Sequence, residues 1–321
     1  MRLDAARKEK ARVQTNIGEA LHEHVLRLAN RPPNGMWPKN KPAVPLLSVG
    51  IARGSRSDDY RVAVRISRHG YRVELLNKIF SGYGPEHLHL KYVGRIYPVG
   101  VGQMVVQAGG SSVSHYLTGT GSIGCRVRDL RTGAFMLLSN NHVIGLENDA
   151  VSDDPVVDPG RDDGGTAPTN TIANFSRCVK LDFSGSPNLV DCAVAKLAPG
   201  IELAPPASPG YLYDAQLAPA QGAKTTRVKK LGRSTGLTTG LVSAIEMGNF
   251  FVDYQNGPAL FERQIEVTGV AGAFAAHGDS GSLVVNDVGA AVGLLFAVSE
   301  AGVAYVNPIG PVLDMLGVAL A

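Results

Sequence analysis

Cysteine is scarce in this chain, with Cys125, Cys178 and Cys192 as its full complement in 321 residues. So small and odd a number excludes a disulfide-built scaffold and predicts free thiols in a reducing compartment. Long apolar runs are missing as well. Nowhere do 18 uncharged apolar residues follow one another, so no spanning helix is expected. The charged start, Met1-Arg-Leu-Asp-Ala-Ala-Arg-Lys-Glu-Lys10, has no apolar centre of the secretory kind. Together these features predict a cytoplasmic protein without a membrane partner. No glycine pattern of the nucleotide-binding type follows a strand-like run, and no organic cofactor is expected. A strong excess of one charge is also lacking, at net +3. The small excess is uneven: residues 1–42 carry nine Lys and Arg against four acids, and the rest sums to −2. Such a basic arm reads as a solvated helix face before it reads as a nucleic-acid contact.

What the chain has in quantity is glycine, 38 residues or about 12%, against roughly 7% on average. Glycine-rich turns between short apolar runs suit an all-β sandwich or barrel. One helix is predicted, over residues 3–29, because Val13, Ile17, Leu21, Val25 and Leu28 recur every three to four positions. Arg31-Pro32-Pro33-Asn34-Gly35 ends it, and residues 38–45 read as a linker. Strand-like runs follow at 46–51, 60–66, 71–76, 88–93 and 104–106, with a short helix at 77–80. They predict a small accessory β-rich unit over 46–110, preceded by helix and linker over 1–45.

Chemistry concentrates in three places. Gly278-Asp279-Ser280-Gly281-Ser282 sets a serine between glycines, ahead of the strand-like Leu283-Val284-Val285. A serine on such a turn can expose its hydroxyl, and the N–H groups of Gly278 and Ser280 can converge as an oxyanion hole. A nucleophilic serine needs a base, and the base needs an orienting carboxylate. His142 follows Ser139-Asn140-Asn141, and Asp191 precedes the apolar Cys192-Ala193-Val194-Ala195. The order is therefore His, Asp, Ser, at spacings of 49 and 89 residues. Among convergent triads this order belongs to the chymotrypsin double β-barrel.

These motifs resemble the trypsin/chymotrypsin serine protease superfamily over roughly residues 115–310. Ser139-Asn-Asn-His142, Gly232-Arg-Ser-Thr-Gly-Leu-Thr-Thr-Gly240 and the ending near Asn307-Pro308 resemble its bacterial intracellular-type branch, with a more distant similarity to the plant NARROW LEAF-type protease. The resemblance implies an all-β double barrel over 111–321, with barrels at about 115–200 and 222–307 and a closing helix at 311–319. It implies a serine endopeptidase whose partner is a protein or peptide substrate. It places the specificity pocket at Phe274, with a wall at Phe296, Ala297 and Val298 and a far side near Val303 and Ala304. No acid stands at these positions, so the resemblance implies cleavage after small or medium apolar residues. Three departures stand out. Ser282 replaces a glycine, no PDZ-like module follows, and no Ile-Val-Gly-Gly-like start exists to send a freed N-terminus to Asp279.

Plainer readings stand beside these. Each motif alone is a common turn, loop histidine or strand-edge cap. A catalytically silent binding module on the same barrels, or an esterase-like serine hydrolase, would share the sequence pattern. His277 is expected at a cleft rim, Asp182 is a second carboxylate candidate, and Asp279 is expected to stabilise the serine loop. His87 and His89 alternate on one strand face but lack a third ligand, so no metal is expected. Asp153, Asp154, Asp158, Asp162 and Asp163 crowd one loop, which reads as a solvated acidic loop before a Ca²⁺ site. The apolar stripe of the N-terminal helix must be covered, by its own barrels or by a second copy or partner.

Overall fold

A computed structural model describes residues 1–29, 47–54, 59–66, 80, 83–84, 87–93, 96–98, 109–204, 208, 210–211, 213–218 and 226–321. The expected runs at 71–76 and 104–106, most of the helix at 77–80 and the linker at 38–45 lie outside these residues. So do the side chains of Leu21, Val25 and Leu28.

The N-terminal helix α1 runs over Leu3–Ala29 as its periodicity predicts. The strands β1 (Leu47–Arg53), β2 (Tyr60–Ile66), β3 (Leu88–Tyr92) and β4 (Ile96–Pro98) follow it. A first group comprises β5 (Ser112–His115), β6 (Gly121–Ser122), β7 (Cys125–Asp129), β8 (Phe135–Ser139), β9 (Pro155–Val157), β10 (Thr171–Cys178) and β11 (Ala193–Leu197). A second comprises β12 (Arg227–Gly232), β13 (Gly236–Gly248), β14 (Phe250–Tyr254), β15 (Gly257–Phe261), β16 (Gln264–Gly269), β17 (Leu283–Asn286), β18 (Ala291–Ser299) and β19 (Ala304–Pro308). A helix at Ile309–Leu316 and a last strand, β20 (Val318–Leu320), end the chain.

The strands form a closed six-stranded barrel and a curled half-barrel, in keeping with the all-β fold expected. In the second group, β12 pairs with both β13 and β17, and the ring runs on through β18, β19 and β16. Pairing on both sides leaves no edge within this six-stranded ring and closes the barrel. The first group curls into a half-barrel in the order β20-β7-β8-β11-β10-β9-β5-β6. One apolar core spans the two halves. It joins Cys125, Val127, Leu138 and Val194 to Leu283, Val285, Leu294 and the helix residues Ile309, Val312 and Leu316. The expected closing helix is shorter than 311–319, because Gly317 takes a left-handed turn at φ 65° and turns the buried Val318 onto β7.

The accessory strands attach to the second barrel. Its strand β13 has 13 residues and outruns its neighbour β12. The overhang takes β1 at Val49↔Gly248 and Ile51↔Ile245, with β2 and β3 beyond. Helix α1 lies on this extension, where Val13 and Ile17 are fully buried with Leu47, Val49, Val62 and Val64. Its own sheet therefore covers the described part of the stripe. The amino terminus is bonded to Asp59 and to the Tyr60 carbonyl.

Candidate active site

Each triad candidate sits where a strand of one half meets the other half. His142 lies on the one-turn helix Asn141–Ile144, directly after β8, and Asp191 lies two residues before β11. These strands pair in register, with Ala193 opposite Ser139, so the two loops emerge side by side. Ser280 comes from the second barrel, on the loop between β16 and β17.

Asp191 is fully buried. Its Oδ1 accepts the backbone N–H of Asn141 at 2.7 Å and of His142 at 3.2 Å. Its Oδ2 bonds His142 Nδ1 at short range and accepts the Tyr254 hydroxyl at 2.8 Å. Four donors around one carboxylate satisfy its oxygens despite burial. A carboxylate on Nδ1 places the proton there and leaves Nε2 as the basic nitrogen. That Nε2 is buried without a hydrogen-bond partner. The Asp191 loop is anchored to the second barrel through Asn307, whose Oδ1 accepts the Asp191 N–H at 2.9 Å and whose amide donates to Gln264 at 2.7 Å.

The serine turn is held from both sides. Gly278 has φ 98°, and a Cβ there would run into the Ser234 hydroxyl and the Arg233 guanidinium. Ser122 donates its N–H to the Ser280 carbonyl and its hydroxyl to the Gly278 carbonyl, both at 2.7 Å. Ser280 Oγ donates to the Phe296 carbonyl at 3.2 Å. Asp279 is buried under the turn, accepting from the N–H groups of Ser234 at 2.9 Å and Ala276 at 3.0 Å and from the Thr235 hydroxyl at 2.6 Å. Lys230 Nζ lies 3.3 Å from its Oδ2, and neither side chain is exposed. Burial lowers the lysine pKa, while the Asp279 charge opposes the shift.

The remaining candidates take other parts. Phe274 and Phe296 are fully buried in separate apolar cores, Phe296 with its ring 4.7 Å from Phe261. At position 296 the site meets a carbonyl rather than a ring. Beyond it, strand β18 carries β4 along its edge, with Pro98 opposite Ala297, Tyr97 opposite Val298 and Ile96 opposite Ser299. Val303 and Ala304 are buried as well. His277 is exposed. Asp182 caps its own turn, accepting from Ser184, Gly185 and Ser186, and the Ser184 hydroxyl bond leads the causes that lower its pKa.

His87 and His89 flank the buried Leu88, and no group of three metal-type side chains gathers among the described residues. In the acidic loop, Asp154 takes His115 and the Val151 N–H, and Asp162 takes the Thr120 N–H. Asp163 forms a two-pronged ion pair with the buried Arg233, the first cause of its lowered pKa, and also accepts from Ser112. Sequence reasoning missed Tyr254, Lys230 and Ser122, which are remote in sequence from the motifs they support, and it read Arg233 and Asn307 as marks of the resemblance without a role at the site. All three cysteines are free. No helix among the described residues is long and apolar enough to cross a membrane.

No protein-family profile and no curated protein matches this chain. Solved structures do resemble it. Thermobifida fusca protease A is 17% identical at a TM-score of 0.43, over 67% of this chain and 97% of that one. A serine protease described as specific for glutamic acid, with a histidine triad in substrate binding, is 20% identical at 0.46, over 66% and 99%. Cellulomonas bogoriensis chymotrypsin is 19% identical at 0.42, over 67% and 97%. The likeness is one of chain course. The roles of residues in this chain rest on the geometry above.

Proposed function

We propose that this protein is a serine endopeptidase in which Ser280, His142 and Asp191 act as nucleophile, base and orienting carboxylate. The observation that carries the reading is the buried Asp191–His142 hydrogen bond on the first half of the fold, to which Ser122 pins the serine turn of the second barrel through the Gly278 carbonyl. In the reaction, Ser280 Oγ gives up its bond to the Phe296 carbonyl and donates instead to His142 Nε2. Hydrogen bonds of this kind often form only once substrate is bound. The oxygen attacks the peptide carbonyl as its proton passes to Nε2. The intermediate's oxyanion is taken by the N–H groups of Gly278 and Ser280, worth about 3–4 kcal/mol per donor. Nε2 then returns the proton to the leaving amine, and water hydrolyses the acyl-enzyme.

Residues 111–321 carry the chemistry in this reading. A preference for small or medium apolar side chains rests on the motif likeness alone, with Phe274 and Phe296 turned into cores. The three free thiols support a reducing, cytoplasmic setting. Motif likeness supports placement near the bacterial intracellular-type branch. Assembly through α1 remains part of the proposal, with Val13 and Ile17 already occupied.

A fluorophosphonate probe tests the reading. Wild type should be labelled and should cleave casein, Ser280→Ala should do neither while keeping its melting transition, and Asp191→Asn should lose several orders of magnitude in rate, on the order of 10⁴. A folded wild type that no probe labels and that cleaves no substrate would sink it.

A further inference from the structure

We propose that Tyr254 is a positioning residue of the triad, its hydroxyl holding Asp191 from a hairpin that clamps both the His142 and the Asp191 segments. The proposal rests on the serine-hydrolase reading. Strands β14 and β15 form a two-stranded sheet of their own, outside both barrel sheets. A lone hairpin is marginal in water, and this one is held at both ends. At its tip, the Glu147 carboxylate, five residues after His142, accepts the N–H groups of Gln255 at 3.1 Å and Asn256 at 2.8 Å. At its base, Asn188, three residues before Asp191, donates its N–H and its amide to the Leu260 carbonyl at 2.8 and 3.0 Å, and its own carbonyl accepts the Glu262 N–H. The two anchors belong to the two segments that must stay in register for the imidazole to be oriented.

Tyr254 sits between them. Its hydroxyl donates to Asp191 Oδ2, the same oxygen that takes His142 Nδ1. Its ring lies 5.7 Å from the imidazole and meets Phe183 edge-on at 6.0 Å. Strand β18 offers no hydroxyl at Phe296, the residue that meets Ser280. Among the described residues, the side-chain hydroxyl bonded to this carboxylate is that of Tyr254. Burial, reinforced by the Asp191 charge, raises the phenol pKa well above its usual value, so the group stays a donor across the working pH range. A fixed second donor on Oδ2 restricts where that oxygen can go, and through it the tilt of the imidazole.

Tyr254→Phe keeps the ring and removes only the donor. The expected result is a fall of about tenfold in labelling rate and kcat, the loss of one hydrogen bond to a charged group, with KM unchanged. The far-downfield His142 Nδ1 proton resonance should move at the same time. A role in packing alone would alter the melting temperature and leave kcat and the resonance where they were, and that result overturns the proposal. Should Tyr254→Phe not fold, Glu147→Ala releases the tip of the hairpin with Tyr254 in place. A lower rate with a moved resonance then supports the proposal, and no change in either overturns it. A folded wild type that never reacts with the probe defeats the hydrolase reading alone, and the resonance then decides the case of Tyr254.

Discussion

Lys230 supplies from inside strand β12 the cation that the serine loop lacks in the sequence motif. The resemblance implied no freed amine at Asp279, and the fold places a lysine amine there, with both side chains out of water. A buried pair is costly to break from one side, because the surviving charge stays in the interior. Lys230→Met should therefore destabilise the protein by about 3–5 kcal/mol in urea unfolding and abolish labelling. Adding Asp279→Asn should restore much of the stability, and wild-type stability in the single variant would contradict the assignment. Asp158 behaves in the opposite sense. Burial pushes its carboxyl up to about 6. The folded state then holds the proton more tightly than the unfolded chain, so this residue's contribution favours folding at low pH and is lost as pH rises through about 6. Asp158→Asn should flatten the melting temperature between pH 4 and 7 and raise it at neutral pH. A pH dependence identical to wild type would count against it.

Under the proposed reading, β4 is the element that bears most directly on substrate. It occupies the edge of β18 from Ala297 to Ser299, immediately beyond the carbonyl that meets Ser280. An extended peptide adds to a sheet edge through main-chain hydrogen bonds, so a peptide approaching Ser280 along β18 competes with residues 96–98 of the chain itself. Ile96→Pro with Tyr97→Pro removes two backbone donors from that strand. The double variant should bind an extended peptide with a KM several-fold lower, while turnover of a small ester, which needs no edge, stays as it was. An unmoved KM would show that peptides use another path.

At the scale of the molecule, the described strands β1 to β3 are bound to the second barrel by more than their pairing. Arg65 on β2 forms a two-pronged pair with Glu266 on β16, at 2.6 and 2.8 Å, with neither side chain exposed. Strands β1 and β13 lie between them, a separation of roughly 14 Å in a flat sheet. Two long side chains meet across that gap. Arg65→Met leaves Glu266 charged and buried and should cost about 3–5 kcal/mol in denaturant unfolding, whereas Arg65→Met with Glu266→Leu should recover most of it. If the single variant unfolds at the wild-type midpoint, the pair does not hold the two parts together.

Much of this protein was legible residue by residue. The period of the N-terminal helix, the alternating short strands and the order of His142, Asp191 and Ser280 are local or ordinal properties, and each survives in a linear reading. A strand that outruns its partner is not visible in this way, because the apolar content of β13 says nothing of where β12 stops. For the same reason the accessory strands read as a separate unit although they extend the second barrel. The expected pocket rings at Phe274 and Phe296 went into cores because the side a strand residue faces depends on register, which two distant chain segments set together. The groups that hold the triad are of the same kind. Tyr254 lies 63 residues from Asp191, and Lys230 lies 49 from Asp279. The sequence by itself determined which side chains are candidates for acyl-transfer chemistry and in which order they come. Only the tertiary structure decided which buried donors and cations hold them in place, since burial and hydrogen bonding are relations between segments that only folding brings together.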